Sequence, residues 1–261
     1  MREDAIKIEE IRLDGINTID EYPDFHERHR VYPAVFENRQ HKNILDIAAG
    51  VGCAAQRIQE NYSAKLLCND ITPKCLGILK GLGLSTASFD LDDADQPYPF
   101  PDGHFDAIVA MAVIEHIINI DHFVQEIHRL LSDNGYLYIS TPNYGSIVYL
   151  PRFLLKGKNF HDPLSKSSRQ RYEFYAHVRY FTYRSLVEYV SSFGFVPDTV
   201  YLPLPSGSTR YRALSRPKAI AFRYAMMMMY HLLPPRWAAE PIICLQKTHS
   251  GAKRKLRKVI L

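Results

Sequence analysis

Between residues 43 and 141, short apolar runs alternate with amphipathic stretches. Their lengths predict strands at 43–47, 65–70, 84–89, 105–110 and 135–141, and helices at 52–60, 73–81 and 120–131. Asn134-Gly135 supplies the turn between the last helix and strand of this series. Strand and helix alternating at these lengths imply right-handed crossovers and a parallel sheet covered by helices, an α/β fold of Rossmann-like type. The rhythm breaks after Thr141-Pro142-Asn143 and resumes with a helix at 183–193, ended by Gly194, and a strand at 195–202. A second break separates that strand from the apolar run 241–246.

These breaks set the domain layout. Residues 1–40 hold no strand-like run and read as a helical cap, with a mixed aromatic and basic stretch over 25–37. Residues 41–247 form the core domain, interrupted by insertions at 142–182 and 203–238, and 248–261 is a basic tail. An insertion that follows a strand's carboxyl end lies on the ligand face of an open sheet, so 142–182, rich in Tyr, Phe, Arg and Lys, is the leading candidate for substrate recognition. Within the second insertion, 219–233 carries four consecutive Met residues, Met226 to Met229. Flexible thioethers adapt to irregular apolar surfaces, and the simplest reading is a buried or lid helix. With the basic tail nearby, peripheral contact with the inner face of a membrane, or a lipid-like substrate, is the alternative.

Composition changes this picture little. Of 261 residues, 46% are apolar and 23% charged, ordinary for a globular chain, and the formal net charge of +4 comes largely from Lys253, Arg254, Lys255, Arg257 and Lys258. The core has no large basic excess, which disfavours nucleic acid as a partner. Cys53, Cys68, Cys75 and Cys244 make no Cys-x-x-Cys pair and read as reduced, packed thiols of a cytoplasmic protein. The amino terminus is charged and lacks the apolar run of a secretory signal.

The candidate chemistry begins where the first strand ends. Asn43-Ile-Leu-Asp46-Ile-Ala-Ala-Gly50-Val-Gly52-Cys53 reads as a buried strand breaking into a glycine turn that opens a helix, a nucleotide-binding corner. Asp46 puts a carboxylate beside the turn, which suits a ligand with a cationic centre better than a pyrophosphate. Asp70 closes the next strand at the distance where such units bind ribose hydroxyls, although Asp70 and Thr72 before Pro73 also make a good helix start.

Taken with Phe89-Asp90-Leu91, with Asp102-Gly-His-Phe105-Asp106 and with Met111-Ala-Val-Ile-Glu115-His116, the corner resembles the class I S-adenosylmethionine-dependent methyltransferases over roughly residues 40–200. The resemblance implies a seven-stranded, mostly parallel sheet with an antiparallel last strand. It implies S-adenosylmethionine as cofactor, its methionine part held by Asp46, Ala48, Gly50 and Gly52, its ribose by Asp70 and Ile71, and its adenine beside Asp90 and Leu91, with Met111 bordering the pocket. Ala48 stands where the family has its first loop glycine. The acceptor implied is a small molecule of aromatic, sugar or lipid-like character, methylated at oxygen, with His116 and His177 as candidate general bases. His177 lies in a His-x-Arg-x-Phe-Thr stretch whose usual role is structural, with Thr182 capping the next helix. Some quinone-type relatives hold a divalent ion after the fourth strand. Glu115 and His116 match, but Ala112 replaces a carboxylate, so no metal is expected.

Two other classes use the same residues. A nicotinamide-dependent oxidoreductase would place a pyrophosphate at the glycine turn, against which Asp46 and the separate Asp90 both argue. A catalytically silent module would keep the corner and lack an acceptor pocket.

Overall fold

The computed structural model describes residues 2–22, 39–158, 160–166, 168–204, 216–248 and 256–261. The chain opens with helix α1 (Arg2–Arg12) and a 3-10 turn, Ile19–Glu21. The aromatic and basic stretch 25–37 expected in the cap lies outside the described residues. The alternating core follows: β1 (Asn43–Asp46), α2 (Cys53–Asn61), β2 (Lys65–Asn69), α3 (Pro73–Gly81), β3 (Ser85–Ala87), β4 (Phe105–Met111), α4 (Ile120–Leu130) and β5 (Leu131–Ser140). Helices α5 (Leu150–Lys156) and α6 (Ser168–Ala176) occupy the first insertion, before α7 (Tyr183–Ser191) and β6 (Phe195–Leu202). Helix α8 (Arg216–Leu232) occupies the second, and β7 (Ile242–Lys247) and β8 (Arg257–Ile260) close the chain.

The strands form one sheet in the order β3-β2-β1-β4-β5-β7-β6-β8. β1 to β5 pair in parallel, and β7 runs antiparallel to both β5 and β6. The order steps outward from β1 in both directions, so the topological switch point, beside which open sheets of this kind bind ligands at the strands' carboxyl ends, falls between β1 and β4. Strand count departs from expectation. The sheet has eight strands, because Arg257–Ile260 pairs in parallel with β6. That segment therefore does not behave as a free basic tail. Lys258 donates from Nζ to the carbonyls of Tyr230 (2.6 Å) and His231 (3.2 Å), capping the carboxyl end of α8.

β5 begins earlier than the turn at Asn134-Gly135 suggests. Its pairing with β4 shifts register between Phe105 and Ala107, opposite the step from Leu131 to Tyr136, and Asn134 adopts φ +63°. The predicted turn is thus an irregularity inside one longer strand.

Both faces of the sheet are covered. Leu45, Ile108, Leu137 and Ile139 pack against Phe123, Val124 and Ile127 of α4 and Leu186 and Val190 of α7. Ile44, Val109 and Tyr138 pack with Ile58 of α2. Met226 and Tyr230 of α8 cover Val200, Leu202 and Leu204 at the sheet's edge.

Candidate functional site

The first corner is assembled by main-chain geometry. Asp46 ends β1 in register with Cys68 of β2, which brings Asn69 and Asp70 alongside the turn. Gly50 donates its N–H to Asp70 Oδ2 (3.0 Å), and Thr72 donates its own to Asp70 Oδ1 (2.8 Å). Asp70 thus holds the glycine turn and the start of α3 together. Thr72, not Asp70, is the N-cap residue. The carboxylate, which the Thr72 side chain also meets, keeps lone-pair capacity for a diol hydroxyl. Asn69, which sequence reasoning missed, knits the same corner: its carbonyl accepts from Ala49 N (2.8 Å) and its side-chain nitrogen donates to Phe89 O (3.1 Å). Ile71 follows, half-buried, beside this junction.

The turn carries backbone strain where a ligand would lie. Ala48 adopts φ +50°, a left-handed conformation costly for a residue with a Cβ. The alanine that departs from the family pattern keeps the geometry the glycine would have. Gly50, at φ +59°, faces open space: a Cβ built there meets nothing within 4 Å. Gly52, at φ +88°, faces the core, where a Cβ would lie 2.9 Å from Leu79 Cδ2. Gly52 therefore also serves the close packing of α2 on α3.

Asp46 is the unusual group of this corner. Its carboxylate is 4% exposed, and among the described residues its Oδ2 has no hydrogen-bond partner. Burial, with the neighbouring charge of Asp70 adding to it, pushes its pKa up to about 7. Asp70 is raised as well, chiefly by burial. Two buried carboxylates beside an open turn fit a cationic group such as an amino acid's ammonium, which would pair with the orphaned oxygen.

Asp90 is half-exposed, and its Oδ1 accepts from Asp92 N (3.0 Å) in a tight turn. Leu91, buried, offers its carbonyl to Tyr98 OH (2.8 Å). Asp92 Oδ1 accepts from the main-chain N–H groups of Ile118 and Asn119, both at 2.8 Å, tying this loop to the one after β4. Met111 ends β4 nearly buried, and Ala112 after it is a second strained alanine, at φ +57°.

The histidines converge. A strap at 176–179 lies against the loop after β4: Val178 N (2.9 Å) and Arg179 N (3.1 Å) donate to Glu115 O, and His116 Nδ1 lies 3.0 Å from Ala176 O. A carbonyl only accepts, so His116 carries its proton on Nδ1 and keeps Nε2 as its basic nitrogen. The His116 and His177 rings meet edge to face with centroids 4.8 Å apart.

Tyr144 and His161 extend the cluster, and neither was singled out from the sequence. Tyr144 OH lies 2.7 Å from His177 Nδ1 and 2.8 Å from His161 Nε2, and His161 Nδ1 lies 3.1 Å from Glu173 Oε2. With neutral rings the protons order one way: His161 donates to Glu173, Tyr144 donates to His161, and His177 donates to Tyr144, so His177 also keeps Nε2 as its basic nitrogen. Burial, aided by His116 and His161, pushes the His177 pKa down to about 3. Ligand atoms of Glu115, His116 and His177 lie within 4.8 Å of one another, a two-imidazole, one-carboxylate grouping that could hold a divalent ion. The sequence expectation of no metal considered Glu115 and His116 alone, because His177 arrives on a distant strap.

A roof closes this side. Tyr172 of α6 donates to Glu9 Oε2 of α1 (2.9 Å), and Arg12 pairs with Glu9 while its guanidinium lies 5.5 Å from the Tyr172 ring centre. Thr182 caps α7 as expected, its side chain accepting from Ser185 N (3.2 Å).

Against known proteins, a family profile described as a methyltransferase domain matches residues 21–200. The chain is 33% identical over 104 residues to ajmaline N-methyltransferase of Rauvolfia serpentina, a match spanning 38% of this chain and 35% of that protein. It is 28% identical over 111 residues to the chloroplastic tocopherol O-methyltransferase of Arabidopsis thaliana, spanning 40% and 31%. The chain thus matches about a third of the length of these curated relatives. A solved S-adenosylmethionine-dependent methyltransferase from Archaeoglobus fulgidus superposes with a TM-score of 0.56 at 14% identity, covering 84% of this chain and 92% of the other, and so shares the fold.

Proposed function

Since this chain belongs to the methyltransferase-domain family, we propose that it transfers a methyl group from S-adenosylmethionine to a hydroxyl oxygen of a small aromatic, sugar or lipid-like acceptor. The observation that carries the reading is the buried Asp46 carboxylate, whose Oδ2 lacks a partner beside a turn that faces open space at Gly50. An ammonium and a sulfonium on one ligand suit two buried carboxylates, where a pyrophosphate would be repelled. The cofactor supplies a methyl group already activated for in-line displacement.

The chain's own residues bind, orient and move a proton. Asp46 and the turn at 48–50 would receive the methionine part, Asp70 the ribose hydroxyls, and the loop at Asp90 and Leu91 the adenine. His116, whose Nδ1 is held by Ala176 O, would take a hydroxyl proton on Nε2. His177, with its basicity depressed by burial, orients Tyr144 and the strap. The relatives' names include both an N- and an O-methyltransferase. Oxygen is favoured here because a hydroxyl is a weak nucleophile until a base takes its proton, a role His116 would fill.

The test is a thermal-shift and calorimetric comparison of S-adenosylhomocysteine with NAD, followed by transfer of labelled methyl from S-adenosylmethionine to phenolic, glycosidic and lipid hydroxyl acceptors. A folded chain that binds NAD and not S-adenosylhomocysteine would overturn the cofactor assignment. Transfer to amines alone would overturn the acceptor atom.

A further inference from the structure

A long stretch of each insertion lacks acidic residues. From Thr141 to His161 the chain carries Arg152, Lys156 and Lys158, and from Thr199 to Ala239 it carries six further Lys and Arg residues, while none of the chain's 28 acids falls in either stretch. The same stretches expose apolar side chains. On α5, Phe153, Leu154 and Leu155 point outward, Leu155 being 83% exposed, and Leu164 beyond it is 90% exposed. On α8, Met226 and Tyr230 pack on the sheet while Met228 and Leu232 face out, Leu232 at 75%. Lys156, Lys158, Lys218, Arg223 and Arg236 are exposed among them.

The two helices belong to one region. Asn143 donates from Nδ2 to Arg236 O (2.8 Å), and Ile147 N donates to Trp237 O (3.4 Å), so the turn after α8 is bonded to the loop that leads into α5. Among the described residues no helix is long and apolar enough to cross a membrane. Exposed leucines and aromatics interleaved with cations, without one acid, match the chemistry of an anionic lipid surface: apolar side chains enter the acyl boundary and cations pair with headgroups.

We infer that α5, α8 and the turns between them form a face that docks peripherally on an anionic bilayer. The region reaches inward as well. Phe153 stacks on Phe160 (5.4 Å between centroids), Phe160 meets Tyr144 (4.7 Å), and Tyr144 bonds His177. A chain of aromatic contacts thus joins the exposed face to the histidine cluster, and an acceptor drawn from the bilayer would meet His116 at its inner end. This last step rests on the proposed methyl transfer; the docking does not.

The experiment is co-sedimentation of the full chain with vesicles of phosphatidylcholine alone and of phosphatidylcholine with phosphatidylserine. The expected result is partitioning to the anionic vesicles, at least ten-fold weaker on neutral ones and in high salt. The double variants Leu154→Glu/Leu155→Glu and Lys156→Glu/Lys158→Glu should each lower partitioning ten-fold or more, with melting temperature and S-adenosylhomocysteine affinity unchanged. Arg223→Glu tests α8 in the same way. Equal binding to both vesicle types, none to either, or variants that bind as the parent does would each overturn the docking. Light scattering supplies the other arm: a dimer that Leu155→Glu dissociates would make this face a contact between two copies and would overturn it too. Loss of S-adenosylhomocysteine binding by the parent chain would count against the methyl-transfer reading alone.

Discussion

Asp46 shows how one residue can set stability against binding. Its pKa near 7 in the folded chain lies well above the usual carboxylate value near 4, because burial and Asp70 both disfavour its charge. A raised acid binds more protons folded than unfolded, so stability is greatest below about pH 4 and falls as pH rises through 7, by on the order of 4 kcal/mol at most. Asp46→Asn should therefore melt higher than the parent at pH 8, flatten the loss of stability between pH 4 and 7, and bind S-adenosylhomocysteine more weakly. Melting curves across pH, paired with calorimetry, check all three. His177 has the opposite sign. Its pKa is depressed to about 3, so it contributes stability above pH 6.5 that is lost as pH falls toward 3. His177→Gln should blunt that acid loss. His116→Gln should instead lower turnover by about 100-fold or more without moving cofactor affinity, and the two variants assayed side by side across pH separate the roles.

At the scale of elements, local signals carried what was legible. β1 to β4 and α2 to α4 agree with their predicted positions to within three residues at each end, because each has its own period and its own stop signal. Strand β8 was not legible, since Arg257–Ile260 is short and half basic, and only its non-local pairing with β6 makes it a strand. Helices α5 and α6 were hidden for a related reason: no apolar stripe marks them, and α5 leaves its leucines exposed. The site divided in the same way. The glycine turn and Asp70 announce themselves by spacing, whereas Tyr144, His161 and Glu173 meet only after a strap has folded back. The loop that carries Tyr144 is held by Asn143, whose Oδ1 accepts from Gly145 N (3.2 Å) and Tyr183 N (3.0 Å) while its Nδ2 donates to Arg236 O and Ala238 O. Asn143→Ala strands buried main-chain groups and should cost about 2 kcal/mol or more. Denaturant unfolding should show the loss, and limited proteolysis should cut faster between 144 and 165.

Across the whole molecule, the two insertions are not equivalent, although both follow core strands. The first is anchored at its ends, by Asn143 and Tyr144 at one and by the bonds of Val178 and Arg179 to Glu115 O at the other. The stretch between 147 and 166 adds no strand to the sheet and leaves Phe153, Leu154 and Leu155 in solvent. The second is part of the core's cover, since Met226 and Tyr230 close over Val200, Leu202 and Leu204, and Lys258 of β8 holds the end of α8. Uncovering that edge would expose several large apolar side chains, each worth roughly 1.5–3 kcal/mol when buried, against a net stability that for a chain of this kind is only about 5–15 kcal/mol. Replacing 147–166 by a short Gly/Ser linker should therefore leave a folded chain whose S-adenosylhomocysteine affinity matches the parent's and whose acceptor preference is lost or broadened. Deleting 216–233 should abolish cooperative unfolding altogether. The comparison is made by melting, by calorimetry with S-adenosylhomocysteine and by methyl transfer to a panel of acceptors. A linker variant that folds but loses cofactor and acceptor together would mean that the first insertion supports the glycine corner as well, through the roof of α1 and α6 that Glu9 and Tyr172 join.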